Sequence, residues 1–561
     1  MPALYLLDYG AGNVASLANS LKKLGHEFTW ISSPDDFAKA DKLIFPGVGA
    51  FKHAMDNLNQ KGLLDPLREY LASGRPYFGI CIGMQVLFAA SMEHADTEGP
   101  VPGLSVIPCS IERFSTEGGK AVPHMGWNQA ERLRPRESGD EIDIGEDLSY
   151  YFVHSYRATY DPDSPLNDWT YTTTQYGQEV FVSSVNQGNI FATQFHPEKS
   201  GPAGLRLLDS WVRAPINPPS ASFIPRSRVS RPPNAKDGLA KRVIACMDVR
   251  TNDEGDLVVT KGDQYDVREK AGNSLTASAA GAVRNLGKPV SLAAKYFEAG
   301  ADEICFLNIT SFRSSPLLDQ PMLSVVRAAA NEIFVPMTIG GGIKDTVDPD
   351  GTPHTALEVA GAYFREGADK VSIGSEAVYN VEALLKDGKQ TGKTGIEMIS
   401  QAYGSQAVVV SIDPRRVYVD PETYDGPYKE ELIRPTTGPE AGKAWWYQCT
   451  VSGGRESRPL SVVQLAKGVE QLGAGELLIN SIDRDGTGKG FDLDLVNLIK
   501  NAVRIPVVAS SGAGSEQHFV EVFNGTKAEA ALAAGIFHRG EVGIGAVKDA
   551  MSKGSLNIRR I

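Results

Sequence analysis

The sequence predicts an α/β chain of two domains: an open mixed sheet with helices comes first, and a (β/α)₈ barrel with a two-fold half-barrel repeat follows it. Three observations support this prediction. Strand and helix signals alternate in the first third of the chain, as in an open α/β sheet. Strand–helix units of the later part then occur twice in the same order. The length of 561 residues also exceeds what one hydrophobic core usually supports.

The first domain is predicted over residues 1–213. A short apolar run at residues 3–8 predicts the first strand, and residues 14–24 have helical spacing that ends at Gly25, a suitable C-cap. The later part of the domain carries several strand patterns without helices between them, at residues 107–114, 150–160, 179–185 and 190–195. We therefore expect its sheet to be mixed.

Residues 214–238 interrupt this pattern and are predicted to connect the two domains. Two proline pairs flank a stretch rich in serine and arginine, which is a composition typical of linkers. An extended arm packed on one domain fits the same composition equally well, because prolines also suit ordered extended segments.

Residues 239–561 are predicted to form the barrel. Apolar segments of its first half match segments of its second half: residues 243–248 with 408–413, 300–308 with 473–480, 335–342 with 505–512, and 371–375 with 531–535. An open sheet of eight strands is the alternative, but open sheets rarely grow so wide. Residues 418–458 are polar, contain glycine and proline and follow the fifth strand, so we expect a long loop there that could act as a lid.

The composition limits the partners and the location of the chain. A net charge of −12 argues against nucleic acid as a partner, and no apolar run reaches the roughly 20 residues that span a membrane. The five cysteines form no C-x-x-C pair, so neither structural zinc nor a disulfide framework is expected, and a reducing compartment fits. The first residues enter a strand pattern without a targeting segment. We therefore expect a cytoplasmic protein without a metal or other cofactor.

The first domain carries a candidate nucleophile, Cys81, in the elbow Gly79-Ile80-Cys81-Ile82-Gly83 between a strand end and a helix start. A helix N-terminus favours the thiolate there. His196 could accept the thiol proton and deliver it to a leaving amine, and Glu198 could orient the imidazole. Taken alone, Cys81 could be a buried thiol and His196 a core histidine. Their combination in this order favours nucleophilic catalysis.

A glycine turn of the same domain offers backbone N–H groups for an oxyanion. Pro46-Gly47-Val48-Gly49 follows a predicted strand, so the amides of Val48 and Gly49 are candidates for an oxyanion hole. This motif is a weak signal by itself and gains force from the elbow that follows it.

Two aspartates are expected to face each other across the mouth of the barrel. Asp248 closes the first strand and Asp413 the fifth, which are opposite positions in a ring of eight. Active sites of such barrels lie at the carboxyl ends of the strands, and facing carboxylates suit acid–base chemistry on a substrate between them. A strand-end aspartate that caps a loop is the alternative for each residue alone.

Small residues end four of the predicted strands, on two opposite sides of the ring. They let the backbone approach an anion closely, and the helices that follow present free N–H groups. One such cluster is typical of a tight turn, whereas two opposite clusters predict a substrate with a phosphate at each end. The candidates are Gly342, Gly374 and Ser375 on one side and Gly512, Ala534 and Gly535 on the other.

Six motifs of the first domain occur in order: Tyr9-Gly10-Ala11-Gly12-Asn13, Pro46-Gly47-Val48-Gly49, Gly79-Ile80-Cys81-Ile82-Gly83-Met84-Gln85, Pro123-His124-Met125-Gly126-Trp127-Asn128, His154-Ser155-Tyr156 and Phe195-His196-Pro197-Glu198. Together they resemble the triad, or class I, glutamine amidotransferases, and among them the glutaminase part of the imidazole glycerol phosphate synthase family. The resemblance covers essentially the whole chain and implies the fused form of fungi and plants, with a TIM barrel as second domain. It implies that Cys81 attacks the side-chain amide of glutamine, and that Gln85, Ser155 and Tyr156 hold this substrate.

For the barrel, the same resemblance implies a multifunctional enzyme of histidine biosynthesis, a hydrolase and a lyase joined by an ammonia channel. Ammonia would add to phosphoribulosyl formimino aminoimidazole carboxamide ribonucleotide, which carries two phosphates. The imidazole ring would then close, and aminoimidazole carboxamide ribonucleotide would leave. Asn308 stands where many bacterial members have aspartate, which argues against direct proton transfer there. The matching positions are Asp248 and Asp413 for acid–base chemistry and Lys261, Asp483 and Gly486 for the substrate.

Charged residues begin several barrel strands and are expected at the N-terminal face of the barrel. Inward charges at such a place must pair or face a partner. A stabilising ring of salt bridges and a functional entrance fit the residues equally well, and the resemblance favours an ammonia gate. The four residues are Arg242, Glu303, Lys370 and Glu476.

Two rival functions stay open from the residues alone. The barrel could take another ammonia acceptor, or the chain could be an assembly scaffold without turnover, although the intact candidate residues argue against a scaffold. For the leading function we expect a monomer with an intramolecular domain interface. Its partners would be glutamine and a bisphosphorylated ribonucleotide, with no nucleic acid and no membrane.

Overall fold

The structure, a computed structural model, describes most of the chain. The described residues are 2–10, 12–93, 95, 99–135, 142–216, 225–251, 257–259, 288–309, 321–348 and 350–559. Lys261, which the sequence assigns to the loop after the first barrel strand, lies outside the described residues.

In the first domain, helices separate the early strands, whereas the later strands follow one another. The strands are β1 (Leu4–Leu7), β2 (Thr29–Ile31), β3 (Lys42–Phe45), β4 (Tyr77–Ile80), β5 (Phe88–Ser91), β6 (Val101–Pro102), β7 (Ile107–Arg113), β8 (His124–Gln129), β9 (Glu131–Arg132), β10 (Ser149–His154), β11 (Tyr156–Arg157), β12 (Thr170–Tyr176), β13 (Glu179–Gln187) and β14 (Ile190–Thr193). The helices are α1 (Ala15–Lys23), α2 (Phe51–Gln60), α3 (Leu64–Ala72), α4 (Ile82–Gln85) and α5 (Gly201–Arg213).

One mixed sheet organises this domain, which confirms the predicted fold. Its order is β2-β1-β3-β4-β14-β13-β12-β9, parallel from β2 to β14 and antiparallel beyond. Alternate residues of β1 belong to two different buried clusters, one on each face of the sheet. Strands buried on both faces have no polar face, which explains why β1 and β4 are continuous apolar runs in the sequence.

The second domain follows with strands and helices in alternation. The strands are β15 (Arg242–Thr251), β16 (Leu257–Val259), β17 (Glu303–Asn308), β18 (Met337–Gly340), β19 (Thr346–Val347), β20 (Pro353–His354), β21 (Lys370–Ile373), β22 (Val408–Ile412), β23 (Pro414–Val419), β24 (Ala444–Val451), β25 (Glu456–Ser461), β26 (Glu476–Asn480), β27 (Val507–Ser510) and β28 (Ala530–Ala533). The helices are α6 (Pro289–Glu298), α7 (Pro321–Ala329), α8 (Ala356–Arg365), α9 (Ser375–Asp387), α10 (Gly395–Tyr403), α11 (Val462–Leu472), α12 (Leu493–Ala502), α13 (Glu516–Gly525), α14 (Gly535–His538) and α15 (Ile544–Lys553).

This domain is a closed barrel. In the part of the chain that the structure describes, eight strands run parallel in the order β15, β17, β18, β21, β22, β26, β27 and β28, and β28 pairs back with β15. Closure excludes the open-sheet alternative. Alternate side chains of the strands, among them Ile244, Cys246 and Cys305, pack into one buried cluster, so a core fills the barrel interior.

The prediction of a long loop at residues 418–458 is only partly correct: residues 420–443 form a loop between β23 and β24, whereas much of the remainder belongs to strands. Strands β23, β24 and β25 form a three-stranded antiparallel sheet there. The guanidinium of Arg416 lies 4.3 Å from the ring centre of Trp445 and 2.8 Å from a carboxylate oxygen of Asp492, which ties this sheet to the barrel. The residues between β23 and β24 are mostly polar and include glycines, so the composition of the whole segment indicated a loop and strand β24 was not predicted.

Residues 225–238 form an extended arm that packs on the first domain. The backbone N–H of Arg226 donates to Asp168 at 2.6 Å, and the hydroxyl of Tyr160 donates to the carbonyl of Val229 at 2.5 Å. Gln175 exchanges two hydrogen bonds with the backbone of Asn234, at 2.9 and 2.7 Å. Residues 225–238 are therefore an extended arm packed on the first domain, and the alternative of a free linker does not describe them.

The first domain docks on the N-terminal face of the barrel. Lys199 forms a 2.7 Å ion pair with Asp369, which also accepts a 2.9 Å hydrogen bond from Asn13. The indole N–H of Trp127 donates to the carbonyl of Asp302 at 3.1 Å. In the described residues, we find no helix whose length and apolar character would suffice to cross a membrane.

Candidate functional site

Cys81 lies between β4 and α4 in a backbone conformation that residues other than glycine rarely adopt. Its φ is 50° and its ψ is −101°, so the turn is strained and holds the thiol at a helix N-terminus. The flanking glycines make this turn possible, because a Cβ on Gly79 would lie 2.3 Å from the carbonyl oxygen of Gly83. Likewise, a Cβ on Gly83 would lie 2.1 Å from the carbonyl oxygen of Phe45. A strained strand-to-helix turn of this kind is typical of a nucleophile elbow.

His196 and Glu198 form a buried pair beside Cys81. Nδ1 of His196 lies 2.8 Å from Oε1 of Glu198, and the backbone N–H of His196 donates to the carbonyl of Tyr151 at 2.9 Å. Burial disfavours a charge on His196, but the carboxylate of Glu198 and the sulfur of Cys81 outweigh it and hold the pKa of His196 well above 6.5. The other ring nitrogen, Nε2, is buried, and an interaction of the ring with the Cys81 thiol contributes to the raised pKa of His196. Nε2 is therefore available to exchange a proton with the thiol.

Gln194 is a residue of this site that sequence reasoning missed. Its Nε2 donates to Sγ of Cys81 across 3.5 Å, and its Oε1 accepts a 3.0 Å hydrogen bond from Nε2 of Gln85. Nε2 of Gln85 also donates to the backbone carbonyl of Tyr156 at 3.1 Å. The signal available in the sequence was a glutamine two positions before His196, next to an apolar strand.

The turn at residues 46–49 lies beside the elbow. The hydroxyl of Tyr9 donates to the carbonyl of Val48 at 3.2 Å. Gly12 has a φ of 79° and approaches the same carbonyl so closely that a Cβ there would lie 2.4 Å from its oxygen. The protein thus holds the carbonyl of Val48, and the role of the Val48 and Gly49 amides as an oxyanion hole stays a prediction.

Strands β8 and β10 form an antiparallel ladder between this site and the barrel. Nδ1 of His154 lies 2.8 Å from the carbonyl oxygen of Tyr156, and its Nε2 lies 3.1 Å from Nδ1 of His124. Burial lowers the pKa of His154 to about 3 and that of His124 well below 6.5, so both rings are neutral at neutral pH. The carbonyl of Ser155, next in the chain, accepts a 3.0 Å hydrogen bond from the N–H of Phe114. The predicted contact of residues 155 and 156 with glutamine stays a prediction.

Four charged side chains at the start of barrel strands form a closed ring of ion pairs. Arg242 contacts Glu303 at 2.8 Å and also contacts Glu476. Lys370 completes the ring, at 2.7 Å from Glu303 and 2.6 Å from Glu476. All four side chains are at most 2% exposed. On the other side of the ring, Nζ of Lys370 lies 3.6 Å from Sδ of Met125 in the ladder.

The carboxyl end of the barrel holds a cavity of about 670 Å³. Asp248 lines this cavity, and burial, with the nearby charge of Asp485, raises its pKa to about 6. Burial also raises the pKa of Asp413, Asp485 adds to the rise, and a 2.9 Å hydrogen bond from Asn480 opposes it. Asp485 is thus a charged neighbour of both aspartates. Four predicted phosphate-binding residues line the same cavity: Gly486, Gly512, Ala534 and Gly535.

The other residues predicted to bind the substrate or its phosphates do not line this cavity. Oγ of Ser375 accepts a 2.9 Å hydrogen bond from the backbone N–H of Ser452, at the end of β24. Asp483 accepts a 2.8 Å hydrogen bond from the backbone N–H of Arg416. A second cavity of about 310 Å³ is lined by Ile343 and Ile373, the sequence neighbours of Gly342 and Gly374. The hydrogen bond from Ser452 brings the inserted sheet into contact with Ser375.

No metal site accompanies either group of residues in the described part of the chain. Histidine, cysteine, aspartate and glutamate side chains form no cluster of three or more there that could hold a metal ion. The chemistry that the site residues can perform on their own is nucleophilic attack by a thiolate and proton transfer by carboxylates.

Comparisons with known proteins agree with this division into two parts. A family described as "Glutamine amidotransferase class-I" matches residues 5–213, and a family described as "Histidine biosynthesis protein" matches residues 242–543. The barrel part alone is similar to the "Imidazole glycerol phosphate synthase subunit HisF" of Haloarcula marismortui, with 37% identity over 57% of this chain and 99% of that protein.

Longer relatives cover both parts. The "Imidazole glycerol phosphate synthase hisHF" of Emericella nidulans is 52% identical over 100% of this chain and 99% of its own length. The "Imidazole glycerol phosphate synthase hisHF, chloroplastic" of Arabidopsis thaliana is 53% identical over 99% of this chain and 89% of its own length. These similarities extend through both domains and the segment between them. The chain therefore belongs to the imidazole glycerol phosphate synthase family, in the fused form that joins a class I glutamine amidotransferase and a TIM-barrel cyclase on one polypeptide.

Proposed function

We propose that this chain hydrolyses glutamine at Cys81 and delivers the ammonia through the barrel to a cyclisation site between Asp248 and Asp413. The family membership covers both activities on one chain. The assignment of each step to particular residues is our proposal, and the geometry of the described residues supports it.

At the first site, the thiolate of Cys81 attacks the side-chain carbonyl carbon of glutamine. The C–N bond breaks when His196 gives its proton to the leaving nitrogen, so that ammonia and a glutamyl thioester form. Water, deprotonated by the neutral His196, then hydrolyses the thioester to glutamate and restores the thiol. The 2.8 Å contact with Glu198 supports this role because it holds the imidazole and stabilises its charged form.

Ammonia passes from the first site to the barrel along the ladder of β8 and β10. The ladder presents neutral histidines, which do not protonate ammonia. The ring of Arg242, Glu303, Lys370 and Glu476 closes the barrel at this end. We propose that the ring is the gate, since Lys370 contacts Met125 of the ladder and carries the flexible side chain that can swing aside.

At the mouth, Asp248 and Asp413 transfer protons while ammonia adds to the ribonucleotide and the imidazole ring closes. The raised pKa of Asp248, about 6, suits a group that accepts and returns a proton near neutral pH. Gly486, Gly512, Ala534 and Gly535 hold one phosphate. Gly342, Gly374 and Ser375 hold the other.

One observation supports the whole proposal most strongly: a closed ring of buried charges separates a thiol site from a mouth with two carboxyls of raised pKa. Isotope competition tests it. The protein is given the ribonucleotide substrate, glutamine labelled with ¹⁵N in its side-chain amide, and excess unlabelled ammonium. Channelling predicts ¹⁵N in the imidazole glycerol phosphate; a product that carries mainly unlabelled nitrogen contradicts it.

The division into residues 1–213, 214–238 and 239–561 and the monomeric state also stay proposals. Analytical ultracentrifugation of the full chain checks the second, and a sedimenting species heavier than 60.4 kDa contradicts it. We keep the cytoplasm as the predicted location, noting that the name of the Arabidopsis relative includes the word chloroplastic.

A further inference from the structure

The hydrogen bond that Gln194 directs at Cys81 has no role in the steps given above. The Gln194 side chain is 1% exposed, and its amide nitrogen lies 3.5 Å from Sγ, a normal separation for a donor to the large sulfur atom. A neutral thiol is a weak acceptor, whereas a thiolate is a charged one that forms stronger hydrogen bonds. A donor fixed at this place therefore favours the ionised sulfur.

The direction of this hydrogen bond follows from two neighbours. The backbone carbonyl of Tyr156 can only accept, so the amide nitrogen of Gln85 faces it at 3.1 Å. The same nitrogen is 3.0 Å from Oε1 of Gln194 and donates its second hydrogen there. With its oxygen engaged by Gln85, Gln194 presents its nitrogen to the sulfur. The chain of amides thus ends on Cys81 with a donor, and each bond polarises the next.

We propose that Gln194 is a positioning residue of the glutaminase reaction: it donates a hydrogen bond that holds Cys81 as the thiolate, and Gln85 fixes the direction of that donation. This inference rests on the proposed role of Cys81 as nucleophile. It adds a second stabilising group to the sulfur, beside the positive imidazole of His196. It also gives Gln85 a role inside the protein, because both of its amide hydrogens are donated to protein oxygens.

Isosteric replacements separate the hydrogen bond from packing. Gln194→Met keeps the volume and removes the donor, and Gln194→Glu replaces the donor by an oxygen that repels the thiolate. Loss of a hydrogen bond to a charged group predicts an alkylation rate of Cys81 about tenfold to a hundredfold lower in Gln194→Met at pH values below the titration midpoint of the thiol. Gln194→Glu should lower it further. Below the titration midpoint, the thiolate fraction changes tenfold per pH unit, so the midpoint should rise by about one to two units.

The experiment measures the rate of iodoacetamide alkylation at Cys81 against pH, by peptide mass spectrometry of the full-length chain. Gln187→Met is the matched control, since Gln187 is a buried glutamine of the neighbouring strand β13 that pairs with Ile190, at the end of the sheet away from Cys81. The urea unfolding transition of the first domain reports that each variant is folded. If Gln194→Met fails this check, Gln194→Glu alone decides the matter.

The outcomes distinguish this inference from the proposal beneath it. A raised midpoint in the Gln194 variants, with an unchanged midpoint in Gln187→Met, supports the inference. An unchanged midpoint in the Gln194 variants, or an equal rise in the control, overturns it. A Cys81→Ala variant that still hydrolyses glutamine overturns the nucleophile assignment itself, whatever the Gln194 variants do.

Discussion

Replacement of Asp248 by asparagine should stabilise the protein at neutral pH while it abolishes cyclisation. Burial and the charge of Asp485 raise the pKa of Asp248 from 3.8 to about 6 in the folded state. A raised carboxyl pKa means that the folded protein disfavours the carboxylate. The stability contributed by the neutral form is present below the unfolded pKa and is lost as the pH rises from about 4 to about 6. Asparagine cannot ionise, so its variant avoids this loss.

The size of the effect follows from the shift. A change from 3.8 to about 6 corresponds to about 3 kcal/mol above pH 6. Asp248 is half-buried and lines a cavity open to solvent, so screening reduces this value. We expect Asp248→Asn to unfold with a free energy about 1–2 kcal/mol higher at pH 7.5, and with less than half of that gain at pH 4.5.

Urea unfolding of the variant and the parent at a series of pH values measures this difference, with the barrel transition analysed apart from that of the first domain. Asp413→Asn is the matched control. It should gain less, because Asn480 donates a hydrogen bond to the Asp413 carboxylate and offsets part of the burial cost. A gain for Asp248→Asn that is independent of pH, or a loss at pH 7.5, would refute the reasoning. Equal gains for the two variants would show that the Asn480 contact is not significant.

Three further predictions concern the steps on either side of the barrel. Cys81→Ala should release no glutamate from glutamine yet form imidazole glycerol phosphate from added ammonium salts; loss of both activities would contradict separate sites. Glu198→Gln should slow glutamine hydrolysis on the order of a thousandfold, because the carboxylate that raises the pKa of His196 is gone. Unchanged hydrolysis would exclude Glu198 from the triad. Arg242→Met should destabilise the barrel by about 3–5 kcal/mol in urea unfolding, since Glu303 and Glu476 lose a shared buried cation. If Arg242→Met were as stable as the parent and still transferred ¹⁵N from glutamine to the product, the ring of ion pairs would be neither a stabilising element nor a gate.

Local pattern was sufficient wherever one element carries its own signal. The apolar runs of β1 and β4 and the repeated segments that end at Asp248 and Asp413 can be recognised within a few neighbouring residues, so their elements could be predicted. The elbow around Cys81 could be predicted for the same reason, because its two glycines lie two residues before and two residues after the cysteine.

Pattern was insufficient where long-range contacts overrode composition. The inserted sheet was predicted as a loop because glycine and polar residues outnumber the aromatic residues of β24, yet Arg416 stacks on Trp445 and pairs with Asp492 to hold it. The extended arm looked like a free linker as much as a packed segment, since its partners, such as Asp168 and Gln175, lie some 60 residues away.

The sequence by itself determined the fold class, the repeat of the barrel and a set of candidate site residues, because these depend on patterns among residues close together in the chain. Only the tertiary structure decided which buried polar groups meet. Gln194 and Cys81 are 113 residues apart, and the ring residues Arg242 and Glu476 are 234 apart. Such contacts arise from strand register and barrel closure, and buried charges and donors must then find partners across that distance. The spacing of residues along the chain therefore does not predict which of them pair.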